Sequence, residues 1–230
     1  MKEKVALIGA GDLGVLLAHH FAAKPDRYEV VGAFDDFQEK GSRVRGLDIL
    51  GGVNDIRQSS ERKLFSSLVM AIGYRHLAFR AGLYLRLVEM GLSFARYVHP
   101  HAYVDRGADL APGSIVFPGC TIDHRCRIGP NSLLNTGCVL AHDVMLDGHT
   151  FFGPGVKSAG FVRIGAYSFI GVGTVIIDNI ELGERCQTAG GAVVTKSFGD
   201  NLLLAGVPAQ IKRKLDSVED DEPDLFRSHA

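Results

Sequence analysis

The sequence predicts a small α/β domain followed by a parallel β-helix, on three observations. Short apolar runs alternate with helical apolar faces around a Gly-rich turn in the first 95 residues. From Val98 to Val194 a six-residue repeat then runs seventeen times without a slip, its lead residue large and apolar at fifteen of them. Four places after each stands a smaller residue, from Ala102 to Ala192.

Val5-Ala-Leu-Ile8 reads as a short buried strand running into Gly9-Ala-Gly11-Asp12-Leu13-Gly14. Leu13, Leu16, Leu17 and Phe21 fall at helical spacing, and Tyr28–Phe34 is a second apolar strand ending at Asp35-Asp36. Gly-x-Gly-x-x-Gly after a strand, with an acidic residue closing the next strand, is also the pattern of a dinucleotide site. A Rossmann-like domain is therefore expected over residues 1–95. Plain tight turns would account for the same glycines.

Residues 41–52 contain four glycines and read as loop. Leu68–Ile72 is a further buried strand ending at Gly73. Leu77, Ala81, Tyr84, Leu85 and Val88 share one helical face, and Gly91 closes that helix. Phe94–Val98 is expected to be the last strand before the repeat.

A helix cannot keep a period of six on one face, because 3.6 does not divide it. Short strands bent at regular corners can. Of the seventeen large positions only Ser158 and Thr188 are not apolar. Three hexads make a coil, so residues 96–195 are expected to form a prism roughly 25–30 Å tall at the β-strand spacing. Cys120, Cys126, Cys138 and Cys186 all fall in the small inward register, which makes them core residues rather than zinc ligands. Cys120 and Cys138 stack one coil apart, near disulfide range, but a reducing compartment favours thiols.

Residues 196–230 form a C-terminal extension with Gly206-Val-Pro-Ala209, a basic Lys212-Arg213-Lys214, and an acidic tail expected to be partly mobile. A net charge of −1 gives no electrostatic case for nucleic acid or an anionic membrane. Met1–Lys4 before a short apolar run is too little for a signal peptide, and no apolar run approaches the ~18 residues of a membrane span. A cytoplasmic protein is expected.

The chemistry concentrates in Leu134-Asn135-Thr-Gly-Cys-Val-Leu-Ala-His142-Asp143. His142 and Asp143 occupy the third and fourth places of their hexad, outside the inward register, where a substrate can reach them. An imidazole suits proton removal from an attacking amine near neutral pH, and a neighbouring carboxylate can orient it. An exposed His-Asp pair without a role is the bland alternative. Asn135 is either a substrate contact or a corner residue.

The Gly-rich α/β start, the hexapeptide repeat, the Asn135…His142-Asp143 segment and the Gly-Val-Pro-Ala ending together resemble the bacterial sugar acyltransferases of the PglD and NeuD type. The similarity spans residues 4–214. It implies a left-handed β-helix, a homotrimer, and transfer of an acetyl group from acetyl-CoA to the amine of a UDP-, dTDP- or GDP-linked amino sugar, with no metal. The sialic-acid branch acylates a hydroxyl instead, which leaves a sugar O-acetyltransferase open.

The resemblance further implies His142 as general base with Asp143, and Asn135 at the substrate. Gly9, Gly11, Asp12, Leu13, Asp35, Asp36 and Gly73 would surround the nucleotide sugar. Gly160, Val172 and Gly190 would line a CoA groove, with Lys212 and Arg213 available to its phosphates. Two departures stand out. Asp12-Leu13 replaces the family's common Gly-His beside the diphosphate. Phe151 stands where many relatives carry a second histidine, so Phe151 and Phe152 are expected to shape the acyl pocket. The rival readings are a zinc hydrolyase of the γ-carbonic anhydrase kind using His124, His142 and His149, and a non-enzymatic nucleotide-binding or scaffold protein.

Overall fold

The computed structural model describes residues 2–215. The first domain holds β1 (Glu3–Ile8), α1 (Asp12–Phe21), β2 (Tyr28–Phe34), β3 (Arg43–Val44), β4 (Leu47–Gly51), α2 (Ile56–Glu61), β5 (Ser67–Met70) and α3 (Leu77–Glu89). Its sheet runs β3-β4-β2-β1-β5, parallel except for the β3–β4 pair. Val5, Ala6, Leu7 and Ile8 are all buried, as a central parallel strand covered on both faces requires.

Residues 41–52 are not the loop their glycines predict. They form the β3–β4 hairpin, turned at Arg45 (φ +50°) and Gly46 (φ +86°), and β4 then pairs with β2. The glycines serve the turn and the strand's end, while Leu47 and Ile49 are buried on alternate positions. Phe94–Val98 is likewise not one strand. Phe94 bridges to Leu68 in the first sheet, and Tyr97–Val98 already belongs to the prism.

All seventeen predicted prism strands are present, β6 (Tyr97–Val98) through β22 (Val193–Val194), each two residues long. Partners lie in register one coil apart, as in Thr121↔Val139↔Lys157. From Leu110 onward every large-register residue is buried. The two polar exceptions are satisfied locally. Ser158 donates to the Ala159 carbonyl (3.2 Å), and Thr188 accepts the Gly171 amide (2.8 Å). The four cysteines are buried thiols that donate to carbonyls of the next coil, for example Cys120 to Asn135 (3.0 Å) and Cys126 to Ala141 (3.0 Å).

Each coil turns through residues in the left-handed region, and the three corners differ. Arg125, Asp143, Phe161 and Asn179 turn the first corner, and Asn131, His149, Tyr167 and Arg185 the second. Gly119, Gly137, Gly155, Gly173 and Gly191 turn the third.

The first domain packs on the outer face of one prism sheet, where Tyr97, Ile115, Leu133 and Phe151 join a core with Val5, Leu17, Phe21 and Val69. At the other end β23 (Leu202–Ala205) continues that sheet and β24 (Gln210–Lys214) turns back antiparallel. The extension is therefore folded as far as residue 215, and the acidic tail lies outside the described residues. Among the described residues no helix is long and apolar enough to cross a membrane.

Candidate active site

His142 sits at the first corner, between β13 (Val139–Leu140) and β14 (Met145–Leu146). Asp143 makes the turn itself (φ +62°), its amide donating to the His124 carbonyl at 3.0 Å. This local geometry turns the Asp143 carboxylate back onto the ring, with Oδ2 at 2.9 Å from His142 Nδ1. Arg125, one coil earlier at the same corner, grips that carboxylate with both arms: Nε to Oδ1 at 2.7 Å and Nη2 to Oδ2 at 2.8 Å. The Arg125 guanidinium first, and His142 second, hold the Asp143 carboxyl well below the usual carboxylate range. The carboxylate is thus held in place from two sides, while the ring it orients is 48% exposed.

Space for the ring comes from Gly160. A Cβ there would lie 2.7 Å from His142 Cε1 and 2.9 Å from Nε2, so any side chain would displace the imidazole. Phe161 stands edge-on to the ring at 5.0 Å. With Nδ1 held by Asp143, Nε2 is the nitrogen left to take a proton.

The remaining predicted residues fall on other parts of the molecule. Asn135, Val172 and Gly190 lie together along the third corner. Asn135 Oδ1 accepts the Thr136 amide (2.7 Å), and a Cβ on Gly190 would lie 2.9 Å from Val172 Cγ1. The space beside Gly137, Gly155, Gly173 and Gly191 is open, which leaves a ledge of bare backbone. Gly160 belongs with His142 and not with this ledge. Phe152 points into the prism core, and Phe151 is covered by the first domain beside Tyr74 (5.6 Å) on the face opposite the His142 corner. Phe151 and Phe152 are therefore packing residues and form no pocket at His142 in this chain.

Gly9, Gly11, Asp12 and Leu13 form the turn from β1 into α1, at the C-terminal edge of the sheet. β2 and β5 flank β1 on opposite sides there, which is where an open α/β sheet offers a crevice. Gly73 follows β5 and borders open space. Asp35 and Asp36 are engaged by the backbone. Asp35 accepts the amides of Ala10 (2.8 Å) and Phe37 (2.9 Å), and Asp36 accepts that of Val53 (2.7 Å). Asp12 is fully exposed and ion-paired to Arg45 of the hairpin turn. Lys212 and Arg213 are exposed on β24.

The structure does not bring His124, His142 and His149 together. His124 pairs with Asp105 (2.9 Å), while His149 is buried at the second corner with Asn131 Nδ2 at 3.0 Å from its Nδ1. Among the described residues no group of three or more His, Cys, Asp or Glu side chains could hold a metal ion.

Sequence reasoning missed Arg125, Arg45 and Tyr74. Arg125 was available, since it stands one eighteen-residue coil before Asp143 and the repeat stacks such positions. Arg45 was hidden by the misread hairpin.

No protein-family profile and no curated protein matches the chain. Solved structures do. One is the perosamine N-acetyltransferase of Caulobacter crescentus, in variants with one histidine replaced by Asn or Ala, bound to CoA and GDP-perosamine. It is 28% identical, covers 92% of this chain and 97% of its own, and gives a TM-score of 0.84. Another is the acetyltransferase domain of PglB from Neisseria gonorrhoeae with acetyl coenzyme A, at 26% identity, 92% and 100% coverage and a TM-score of 0.84. WeeI from Acinetobacter baumannii, 22% identical over 91% of this chain and 100% of its own with a TM-score of 0.79, bears on the fold alone. Over nearly its whole length, the chain is similar in structure to these two acetyltransferases.

Proposed function

We propose that this protein is an acyl-CoA-dependent N-acyltransferase that acetylates the amine of a nucleotide-linked amino sugar, with His142 as general base. The observation that carries the reading is the Arg125–Asp143–His142 relay at an exposed corner, in a chain whose structural neighbours bind CoA, acetyl-CoA or GDP-perosamine.

The amine attacks the thioester carbonyl carbon, forming the C–N bond, and His142 Nε2 takes the proton the nitrogen sheds. The tetrahedral adduct collapses with cleavage of the C–S bond, and the departing sulfur takes that proton from the His142 imidazolium and leaves as thiol, which returns the ring to its neutral form. Asp143 holds the ring and stabilises its charged form, and Arg125 holds Asp143. No acyl-enzyme is needed, because donor and acceptor meet directly.

In this reading the prism is a left-handed β-helix and the first domain a Rossmann-like unit of the PglD/NeuD type. The Gly9–Leu13 turn and Gly73 cradle the diphosphate at the start of α1, and Arg45 offsets the charge of Asp12 there. The His142 corner and the third-corner ledge lie on different edges of one prism. A CoA touching both Gly160 and the Val172–Gly190 ledge thus bridges two copies, as in a homotrimer. Lys212 and Arg213 are then available to the CoA phosphates.

A thermal-shift panel of GDP-, UDP-, dTDP- and CMP-linked amino sugars, each with and without acetyl-CoA, tests the reading, since a ligand of the native state raises the melting temperature. At least one nucleotide sugar should stabilise the protein and be acetylated on nitrogen, read by mass spectrometry. Stabilisation by none of them, or acetylation only on oxygen, overturns it.

A further inference from the structure

Among the described residues Arg80 is the largest fully buried side chain, and no carboxylate among them pairs with it. It projects from α3 of the first domain into the second corner of the prism, where Nη1 donates to the Asn131 carbonyl at 2.5 Å. Its Nε and Nη2 have no hydrogen-bond partner among the described residues. Such burial is costly, and an apolar side chain of similar size would be expected to pack there at least as stably. One turn further along α3, the Tyr84 hydroxyl donates to the Pro112 carbonyl at 3.1 Å.

The corner that receives them is a stacked ladder. Asn131 Nδ2 meets His149 Nδ1 (3.0 Å), the His149 ring stacks on Tyr167 (5.1 Å, 3°), and the Arg185 guanidinium lies over Tyr167 (5.6 Å). Each member sits one coil from the last in an in-register prism, so the ladder is a rigid footing. His149 is on the same coil as His142, one corner further along.

At its other end α3 leads back to the nucleotide crevice. It follows Gly73 through the turn Tyr74–His76, and Tyr74 stacks on Phe169 of the prism face (4.4 Å, 11°). Ala71, two residues before Gly73, donates its amide to Ile8 (2.9 Å) beside the Gly9 turn. On the α1 side of the interface the Tyr97 hydroxyl donates to the His20 carbonyl and the Tyr28 hydroxyl to the Arg96 carbonyl, close to where the chain enters the prism; elsewhere the contact is apolar and non-directional. On the α3 side, which leads to the crevice, the hydrogen bonds of Arg80 and Tyr84 supply the direction.

The geometry points to Arg80, with Tyr84, as the positioning device that sets the nucleotide-sugar crevice in register with the acyl-transfer prism. This rests on the function proposed above. Neither residue touches substrate. Both act through α3 and Gly73, and their contribution is to where a crevice-bound sugar presents its amine. A misplacement of the order of 1 Å is enough to cost up to about a hundredfold in rate.

The test compares the full chain with the double variant Arg80→Met/Tyr84→Phe, which keeps the apolar bulk and removes both directional bonds, and with Arg80→Lys. Two acceptors are used with acetyl-CoA: GDP-perosamine, or whichever nucleotide-linked amino sugar of the panel binds, and the same amino sugar without its nucleotide. In the double variant kcat/KM for the linked acceptor should fall about tenfold or more, turnover of the bare sugar should stay within about twofold, and the melting temperature should hold. Arg80→Lys, which can still donate to the Asn131 carbonyl, should recover most of the loss. A parallel fall on both acceptors, or no change on either, overturns the inference. Equal use of the two acceptors by the unaltered chain instead removes the nucleotide-sugar reading itself, and this inference with it.

Discussion

His142 and His149 stand on one coil of one prism, a single corner apart, and the chain uses them in opposite ways. At the first corner Asp143 makes the left-handed turn, and His142, just before it, is left standing outside with a carboxylate at its Nδ1. At the second corner His149 makes the turn itself (φ +63°), and its ring is folded into a covered stack between Asn131 and Tyr167. Burial first, and the Arg80 charge second, push the His149 imidazole down to about 4. The same side chain becomes a base or a packing element according to which corner place it holds, and to whether the first domain covers that corner.

The sharpest way to break this contrast is to remove each ring. His142→Ala should lower turnover by roughly 10² to 10⁴ while leaving the melting temperature near that of the parent. Turnover near the parent value in a folded His142→Ala protein would remove the mechanism. Gly160→Ala should follow in size. Its new Cβ meets the His142 ring, so turnover should fall by about tenfold or more with the ring chemically intact. Unchanged steady-state kinetics would show that the ring need not occupy that place.

His149→Gln should act on stability rather than chemistry. The unfolded imidazole binds its proton near 6.5 and the folded one only near 4, so the unfolded chain carries more protons between those values. Stability therefore falls as pH drops from 6.5 toward 4, by of order 3 kcal/mol at most from this group. The variant should flatten that slope in denaturant titrations from pH 7 to 4.5 while keeping turnover at neutral pH. A slope as steep as the parent's would place the acid sensitivity in His20 and His99, whose imidazoles burial also holds low.

A second difference between regions explains what could be read in advance. The prism strands fell where the hexad pattern put them because each coil repeats the same inward demand, and small residues such as Cys138 mark the register as plainly as Leu140 does. The outward positions carry a further signal. From Tyr97-Val98 to Phe169-Ile170 every third hexad is apolar on both sides, as in Ile115-Val116, Leu133-Leu134 and Phe151-Phe152, and these are the strands the first domain covers. Phe151 offers no such signal by itself, because its cover comes from Tyr74 of the first domain, some eighty residues earlier in sequence. The β3–β4 hairpin was misread because its glycines are local, while the β2 partner that makes β4 a strand is not.

By itself the sequence determined the prism, the inward place of its four thiols, and the outward place of His142 and Asp143, since a strict period decides which way each side chain points. Tertiary structure alone decided which corners stay open. It placed Arg125 on Asp143 across one coil, buried His149 and Phe151 beneath the first domain, and separated the His142 corner from the ledge of Val172 and Gly190. Periodicity is a property of one strand and its neighbours. Cover and convergence arise only when distant parts of the chain compete for the same face.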